Sequence, residues 1–220
     1  MPPVGNGPRA LRFTDRVPAA ALLAFVRANL PAPPLRLLEV GAGDGELARA
    51  LTDSGYQVLA IDPQSGGEGV RPVALHEVDE PAGAFDAALA VTSLHHVEPL
   101  GESIARLADL LRPGGVLVVD EFDVGAFDEP AAEWWLRQRR SLGAVAEITP
   151  AEIVGEHRAH LHPLERIVAA LEPHFRVGIP LYGPYLYRWN LGEPFRRPEE
   201  AAIARAEIPA VGARFLAQRR

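Results

Sequence analysis

The stretch Leu37-Leu38-Glu39-Val40-Gly41-Ala42-Gly43-Asp44-Gly45 constrains this chain more than any other. An apolar run meets glycines at alternate positions. Residues 44–54 then show helical spacing, with Leu47, Ala50 and Leu51 on one face. The pattern predicts a buried strand that turns sharply into a helix. Glycine permits the turn and lets the backbone approach a ligand closely. The helix N-terminus adds unpaired N–H groups that can face such a ligand. A dinucleotide loop needs a third glycine where Glu46 stands. A carboxylate there opposes a pyrophosphate, so the spacing favours a ligand without one.

The same rhythm continues along the chain. Residues 17–30 predict an amphipathic helix stopped by Pro31, Pro33 and Pro34. Strands are expected at 35–40, 57–61, 72–75, 85–91 and 116–119, and helices at 44–54 and 100–111. Continuous apolar strands alternating with amphipathic helices indicate an α/β fold, a doubly wound and mostly parallel sheet covered on both faces. After Phe122 the rhythm breaks. Residues 123–163 are mixed and include Trp134-Trp135 and three histidines. A helix is expected at 164–171, strand-like segments at 175–179 and 184–189, a helix at 197–205 and a last strand at 212–217; the sheet is expected to hold seven strands. A length of 220 residues, 48% of them hydrophobic, fits one domain over 1–220. Its parts are a ligand-binding core at 17–121, an insert at 123–163 and a C-terminal completion of the sheet at 164–220.

Composition removes several classes of chemistry. With 0 Cys there are no disulfides, thiolate zinc sites or iron–sulfur clusters. The sequence contains no Lys, so a lysine Schiff base is excluded. Basic residues total 22 and acidic 29, giving 22 − 29 = −7, a balance that opposes a nucleic-acid partner. No apolar run is long enough to span a bilayer and no secretory pattern opens the chain. The expectation is a cytoplasmic protein with no membrane partner.

Asp62 ends the second expected strand, roughly 20 residues beyond the loop, where an acid grips ribose hydroxyls in related folds. An isolated Asp before Pro63 reads as a turn residue; beside this loop the ribose reading is stronger. Together with Glu39, Gly41, Gly43 and Gly45, these residues resemble the class I S-adenosylmethionine (SAM)-dependent methyltransferases, which have a Rossmann-like fold. Phe85-Asp86, Ser93-Leu94-His95-His96 and Leu111-Arg112-Pro113-Gly114-Gly115 match further family segments in order, over residues 17–121. The resemblance implies SAM as cofactor and methyl transfer to an oxygen or nitrogen of a small-molecule acceptor. It implies a cofactor-binding set of Glu39, Gly41, Ala42, Gly43, Gly45, Asp62, Pro63, Val78, Thr92, Ser93 and Leu94. Glu77 and Asp79 are candidates for adenine contact, with Val78 packing on the ring. More loosely, the C-terminal third is similar to bacterial methyltransferases of unassigned substrate, through Phe127-Asp128-Glu129, Leu161-His162, Pro184-Tyr185-Leu186 and the 208–212 segment.

An oxygen or ammonium acceptor benefits from a base, and histidine is the usual one. His162, His96 and His95 are the catalytic candidates, His162 facing the methyl from a lid formed by 123–163. For His95 a backbone-only role is as good a reading, and for His162 a capping role is. His157 and His160 read as exposed helix residues. A metal site is disfavoured, because no carboxylate partner is set by spacing. Glu121 is a candidate for orienting substrate, or a solvated turn residue. A helix through Trp134-Trp135 would bury one ring and turn the nearby arginines to solvent. Tyr182, Tyr185 and Tyr187 are candidate acceptor-pocket residues, with strand packing the safer reading. A homodimer is compatible with the sequence. The competing functions are an NAD-dependent oxidoreductase, opposed by Glu46, and a non-catalytic SAM-binding protein.

Overall fold

A computed structural model describes residues 19–64, 67–144 and 148–220. The chain begins with α1 (Ala19–Asn29), β1 (Arg36–Val40), α2 (Glu46–Asp53), β2 (Gln57–Ile61) and β3 (Val70–Arg71). It continues through β4 (Phe85–Val91), α3 (Leu100–Leu110), β5 (Leu111–Phe122), α4 (Glu129–Ser141), α5 (Pro150–His160) and α6 (Leu164–Leu171). It closes with β6 (Phe175–Val177), β7 (Leu181–Gly183), α7 (Arg196–Ala204) and β8 (Gly212–Arg219). Val17, the expected start of α1, lies outside the described residues.

The sheet runs β3-β2-β1-β4-β5-β8-β6, with β7 also on β8. β3, β2, β1, β4 and β5 are parallel, whereas β8 is antiparallel to β5. One face packs on α3 and α6 through Leu38, Ala88, Leu117, Ile104 and Ile167. The other packs on α1 and α2 through Leu37, Leu89, Val118, Val26 and Leu51. Cover on both faces explains why these strands are apolar throughout rather than alternating. The chain leaves β1 toward β2 on one side, and β4 lies on the other. This reversal opens a crevice at the carboxyl ends of β1 and β4, the place where such sheets bind ligands.

Among the described residues eight strands stand where seven were expected, because the last edge strand is broken. β6 and β7 pair with opposite ends of the same strand, Phe175–Val177 with 217–219 and Leu181–Gly183 with 212–214. Pro180 falls in the gap and has no N–H to give the ladder. The third strand is also displaced. It ends at Arg71, before Pro72, and residues 75–77 form a single 3-10 turn. β5 starts five residues early, at Leu111, and carries Pro113-Gly114-Gly115 as an irregular stretch against β4.

The insert forms two capped helices. Asp128 accepts from the Ala131 N–H, and Thr149 and Glu152 form a reciprocal capping box. They build a separate core with Phe122, Tyr185, Trp189 and Val211. Both Trp134 and Trp135 are buried, correcting the expectation of one inward ring. Trp135 Nε1 donates to the Trp189 carbonyl at 2.9 Å, and Arg139 lies over the Trp135 ring. His157 is buried as well and stacks on Trp189 at 5.1 Å, while His160 is exposed.

Candidate functional site

The glycine loop is held from the end of β2. Gly41 and Ala42 N–H both donate to the Ile61 carbonyl, at 2.9 and 3.0 Å. Gly43 N–H donates to Asp62 Oδ2 at 3.0 Å, and Asp62 Oδ1 accepts from Gln64 N–H at 2.9 Å. Asp62 therefore shapes the loop and the following turn, and its carboxylate keeps lone pairs for a ligand. Gly41, Gly43 and Gly45 all have positive φ. A Cβ on Gly41 would stand 2.4 Å from Ser93 Cβ, and one on Gly43 would meet nothing within 4 Å.

Above the loop lies a cavity of about 940 Å³. Gly41, Gly43, Asp62 and Pro63 line one side and Thr92, Ser93 and His96 another. Val40, Asp44, Ile61, Gln64, Val73, Ala74, Leu75, Val97 and Glu98 complete it. The last six were not anticipated. Residues 72–75 read as a strand, which hid their role as a wall. Five expected contacts lie off the wall, Glu39 among them. Ala42 packs with Ala48 and Ala60, and Leu94 and Val78 belong to the core under α3. Gly45 caps α2 with its missing Cβ toward Val70. Val78 also gives its carbonyl to Arg106.

Glu39 sits behind this wall, 4% exposed, and its Oε2 has no hydrogen-bond partner among the described residues. Burial, reinforced by Asp44 and opposed by Arg49, pushes its pKa up to about 8. The acid is thus protonated over much of the neutral range, and a cationic or donor group nearby would favour its charged form.

At the far side of the cavity, residues 93–96 form a tight turn around Glu121. Its Oε1 accepts Ser93 N–H at 2.9 Å and Leu94 N–H at 2.6 Å, and its Oε2 meets His95 Nδ1. Glu121 is fully buried inside β5, so the solvated-turn reading is corrected. His95 is locked on this acid and is 3% exposed. His96 follows it with its ring open to the cavity, 4.3 Å from the His95 ring. Surrounding protein, then the neighbouring His95, lower the His96 pKa to about 4, and Glu121 opposes. Water on the open side of the ring limits how far that burial penalty acts.

His162 does not line the cavity. It is buried behind the wall, its Nε2 3.1 Å from the Val97 carbonyl and 3.0 Å from Glu98 Oε1. Its N–H donates to the His95 carbonyl. No residue of 123–163 lines this cavity among the described residues; the insert packs on the C-terminal segment instead. The expected lid with His162 facing the cavity is corrected on this point: His162 is buried behind the wall, and His96 is the histidine that lines the cavity. Tyr185 is core and Tyr182 is exposed, while Tyr187 borders a separate pocket. No cluster of three or more metal-ligating side chains occurs among the described residues, and no helix there is long and apolar enough to cross a membrane.

Residues 11–156 match a family model described as a methyltransferase domain. A ubiquinone biosynthesis O-methyltransferase of Rhodopseudomonas palustris (strain TIE-1) is 29% identical across 71% of this chain and 66% of its own length. The chain thus spans just under two thirds of that relative. A crystal structure of a SAM-dependent methyltransferase from Mesorhizobium loti superposes with a TM-score of 0.59 at 17% identity, covering 91% of this chain and 98% of the other. A Burkholderia thailandensis 1,6-didemethyltoxoflavin-N1-methyltransferase, solved with its acceptor and S-adenosylhomocysteine (SAH), gives a TM-score of 0.52 at 20% identity, covering 92% and 76%. At these identities the structural likeness establishes the fold.

Two predictions follow from the loop and the acid behind it. Gly43→Ala should cost about 1–2 kcal/mol for its positive φ alone. Gly41→Ala adds the collision with Ser93 and should cost clearly more in urea unfolding; equal losses would mean that the loop is not pinned against Ser93. Glu39 has a native pKa above its unfolded value of 4.5. Between the two values the native state holds a proton that the unfolded state has released. Its stabilisation is therefore complete below pH 4.5 and lost as pH rises toward 8. Glu39→Gln should unfold like the parent near pH 4.5 and be more stable by about 1–3 kcal/mol near pH 8, without ligand. A gain independent of pH would contradict the assignment.

Proposed function

The chain belongs to the class I SAM-dependent methyltransferase family, and on that premise we propose that it transfers a methyl group from SAM to an oxygen or nitrogen of a small-molecule acceptor. The observation that carries this reading is the glycine loop, closed by Ser93 and Asp62 around a cavity whose size suits a cofactor. The residues present fit SAM. Gly41 leaves no room for a side chain, Asp62 has acceptor capacity for vicinal hydroxyls, and Glu39 offers a buried acid without a partner. When bound, SAM supplies an already activated methyl group for in-line displacement.

The protein's own work is then alignment, exclusion of water and proton management. Thr92 and Ser93 form the wall between cavity and sheet. His96, neutral at physiological pH, accepts the proton that an acceptor hydroxyl or ammonium must lose. His95 and Glu121 hold the turn that aims it, and His162 braces the same turn from behind. Its role is that of a positioning residue. The acidic balance supports a small acceptor over a nucleic acid, the cysteine-free composition supports a cytoplasmic enzyme, and a homodimer is compatible with both.

Calorimetry with purified protein should give saturable heat with SAM and with SAH. Asp62→Ala should weaken SAM by about 10- to 100-fold, the loss of a charge-assisted hydrogen bond to a hydroxyl, while the variant still unfolds cooperatively. No heat from either ligand with the folded parent would sink the reading. His96→Ala should lower kcat by about 100-fold or more and change SAM affinity much less. In the parent, the histidine limb of the pH–rate profile should fall below 6.5, because the folded His96 holds its proton less tightly than free histidine. A variant with unchanged kcat would remove His96 from the chemistry.

A further inference from the structure

Asp120 and Glu121 are adjacent in β5 and point to opposite faces of the sheet. Glu121 serves the turn beside the cavity. Asp120, on the α1 face, forms the floor of a different pocket of about 170 Å³. Arg188, Arg196, Arg214, Tyr182 and Tyr187 line it.

The charge balance at this floor is uneven. Asp120 Oδ1 accepts from one terminal nitrogen of Arg188 at 3.0 Å, and Oδ2 accepts from the other at 3.1 Å. Oδ2 also accepts from Arg214 Nε at 2.9 Å and meets its terminal nitrogen at 2.8 Å. One carboxylate thus faces two guanidinium groups. Arg188 is 2% exposed, and its Nε has no hydrogen-bond partner among the described residues. Glu199 is the other acid near Arg188, but it does not line the pocket. Its oxygens are taken by the N–H groups of Tyr185, Leu186 and Tyr187. Arg196 adds a third cation at the rim, paired among the described residues with the exposed Glu193 and Glu200. Such surface pairs are weak and exchange readily.

One backbone hydrogen bond links the lining of this pocket to that of the large cavity. Thr92 lines that cavity, and its N–H donates to the Asp120 carbonyl at 2.7 Å. Thr92 has φ 49°, a left-handed conformation rare for a β-branched residue and concentrated at functional sites. The outer rim is apolar: Leu181 and Tyr182 are 73% and 56% exposed, beside Pro184. A pocket this small takes a head group and leaves the body of a ligand at the rim or across Thr92.

The geometry points to this pocket as the docking site for the carboxylate of the methyl acceptor, which is then an apolar organic acid. The inference rests on the methyl-transfer reading. A planar carboxylate suits the arginine N–H groups that Asp120 leaves unused, adds a second anion to a lining of three arginines and one acid, and leaves an apolar body against Leu181 and Tyr182.

Benzoate and its neutral isostere benzamide test this by calorimetry on SAH-loaded protein. Benzoate should bind about tenfold or more tightly than benzamide. Arg214→Gln should abolish the preference. Arg196→Gln, at the exposed rim and safe for folding, should reduce it, and neither variant should change SAH affinity. Equal binding of the two probes overturns the proposal, as does a preference that survives in both variants or the absence of benzoate binding. Competition between benzoate and SAH also overturns it, because the pocket would then serve the carboxylate of the cofactor. Failure of the parent to bind SAH sinks the methyl-transfer reading separately, and benzoate titrated into SAH-free protein still reads the arginine pocket.

Discussion

The buried carboxylate of Glu121 is the interaction on which the site depends. It sits near the end of β5 and accepts from the backbone N–H groups of Ser93 and Leu94, from Phe122, and from the His95 ring. A carboxylate in a dry interior is costly unless its lone pairs are filled. Here they are filled by the turn that leaves β4. Each such bond is worth about 1.5–3 kcal/mol when made, and an orphaned N–H costs a similar amount when the acid is removed. Glu121 therefore joins the carboxyl ends of two neighbouring strands and fixes the backbone at 93–96. Ser93 then packs against Gly41, and His96 turns to the cavity.

The sheet topology explains why that junction matters. β1 and β4 are adjacent, yet the chain leaves them in opposite directions. No crossover covers the space between their carboxyl ends. The glycine loop borders it on the β1 side and the turn at 93–96 on the β4 side. The first is tied to Ile61 of β2 and the second to Glu121 of β5. Each wall is thus anchored by the strand one place further out.

Features set by local periodicity were legible in the sequence, and features set by long-range partners were not. β2, β4 and α6 fall on the expected residues, because an apolar run or a helical stripe marks them without tertiary help. The capping box at Thr149 and Glu152 was present to be read, but the mixed composition around it obscured the helix. Pro180 splits the last edge strand, an effect that appears only once its partner β8 is known. Glu121 and Asp120 look like the polar end of a strand, because an acid after an apolar run usually meets water. Their burial follows from Arg188, 68 residues away, and from the turn at 93–96. His157 had the spacing of an exposed helix residue and is buried because the C-terminal segment brings Trp189 over it. In the site, the glycine loop and Asp62 were visible as a motif. His162 was selected by its place before a proline, whereas the ring that reaches the cavity belongs to His96.

Strand alternation also sorts the charge. Successive side chains of β5 point to opposite faces, so Asp120 and Glu121 serve different neighbourhoods although they are adjacent in sequence. On one face Glu121 gathers backbone N–H groups and histidine, and no arginine is among its partners. On the other, Asp120 gathers Arg188 and Arg214. If the two acids exchanged faces, the arginines would lie beside the cavity that is to hold a sulfonium cation, and repulsion would oppose binding. The observed arrangement keeps the cavity supplied with neutral His96 and the acid Glu39, and confines excess positive charge beyond Thr92. On the methyl-transfer reading, a cationic donor and an anionic acceptor are then drawn to opposite sides of one residue. The two reactants are separated by charge before any shape selection acts, and the register of a single strand is enough to produce that separation.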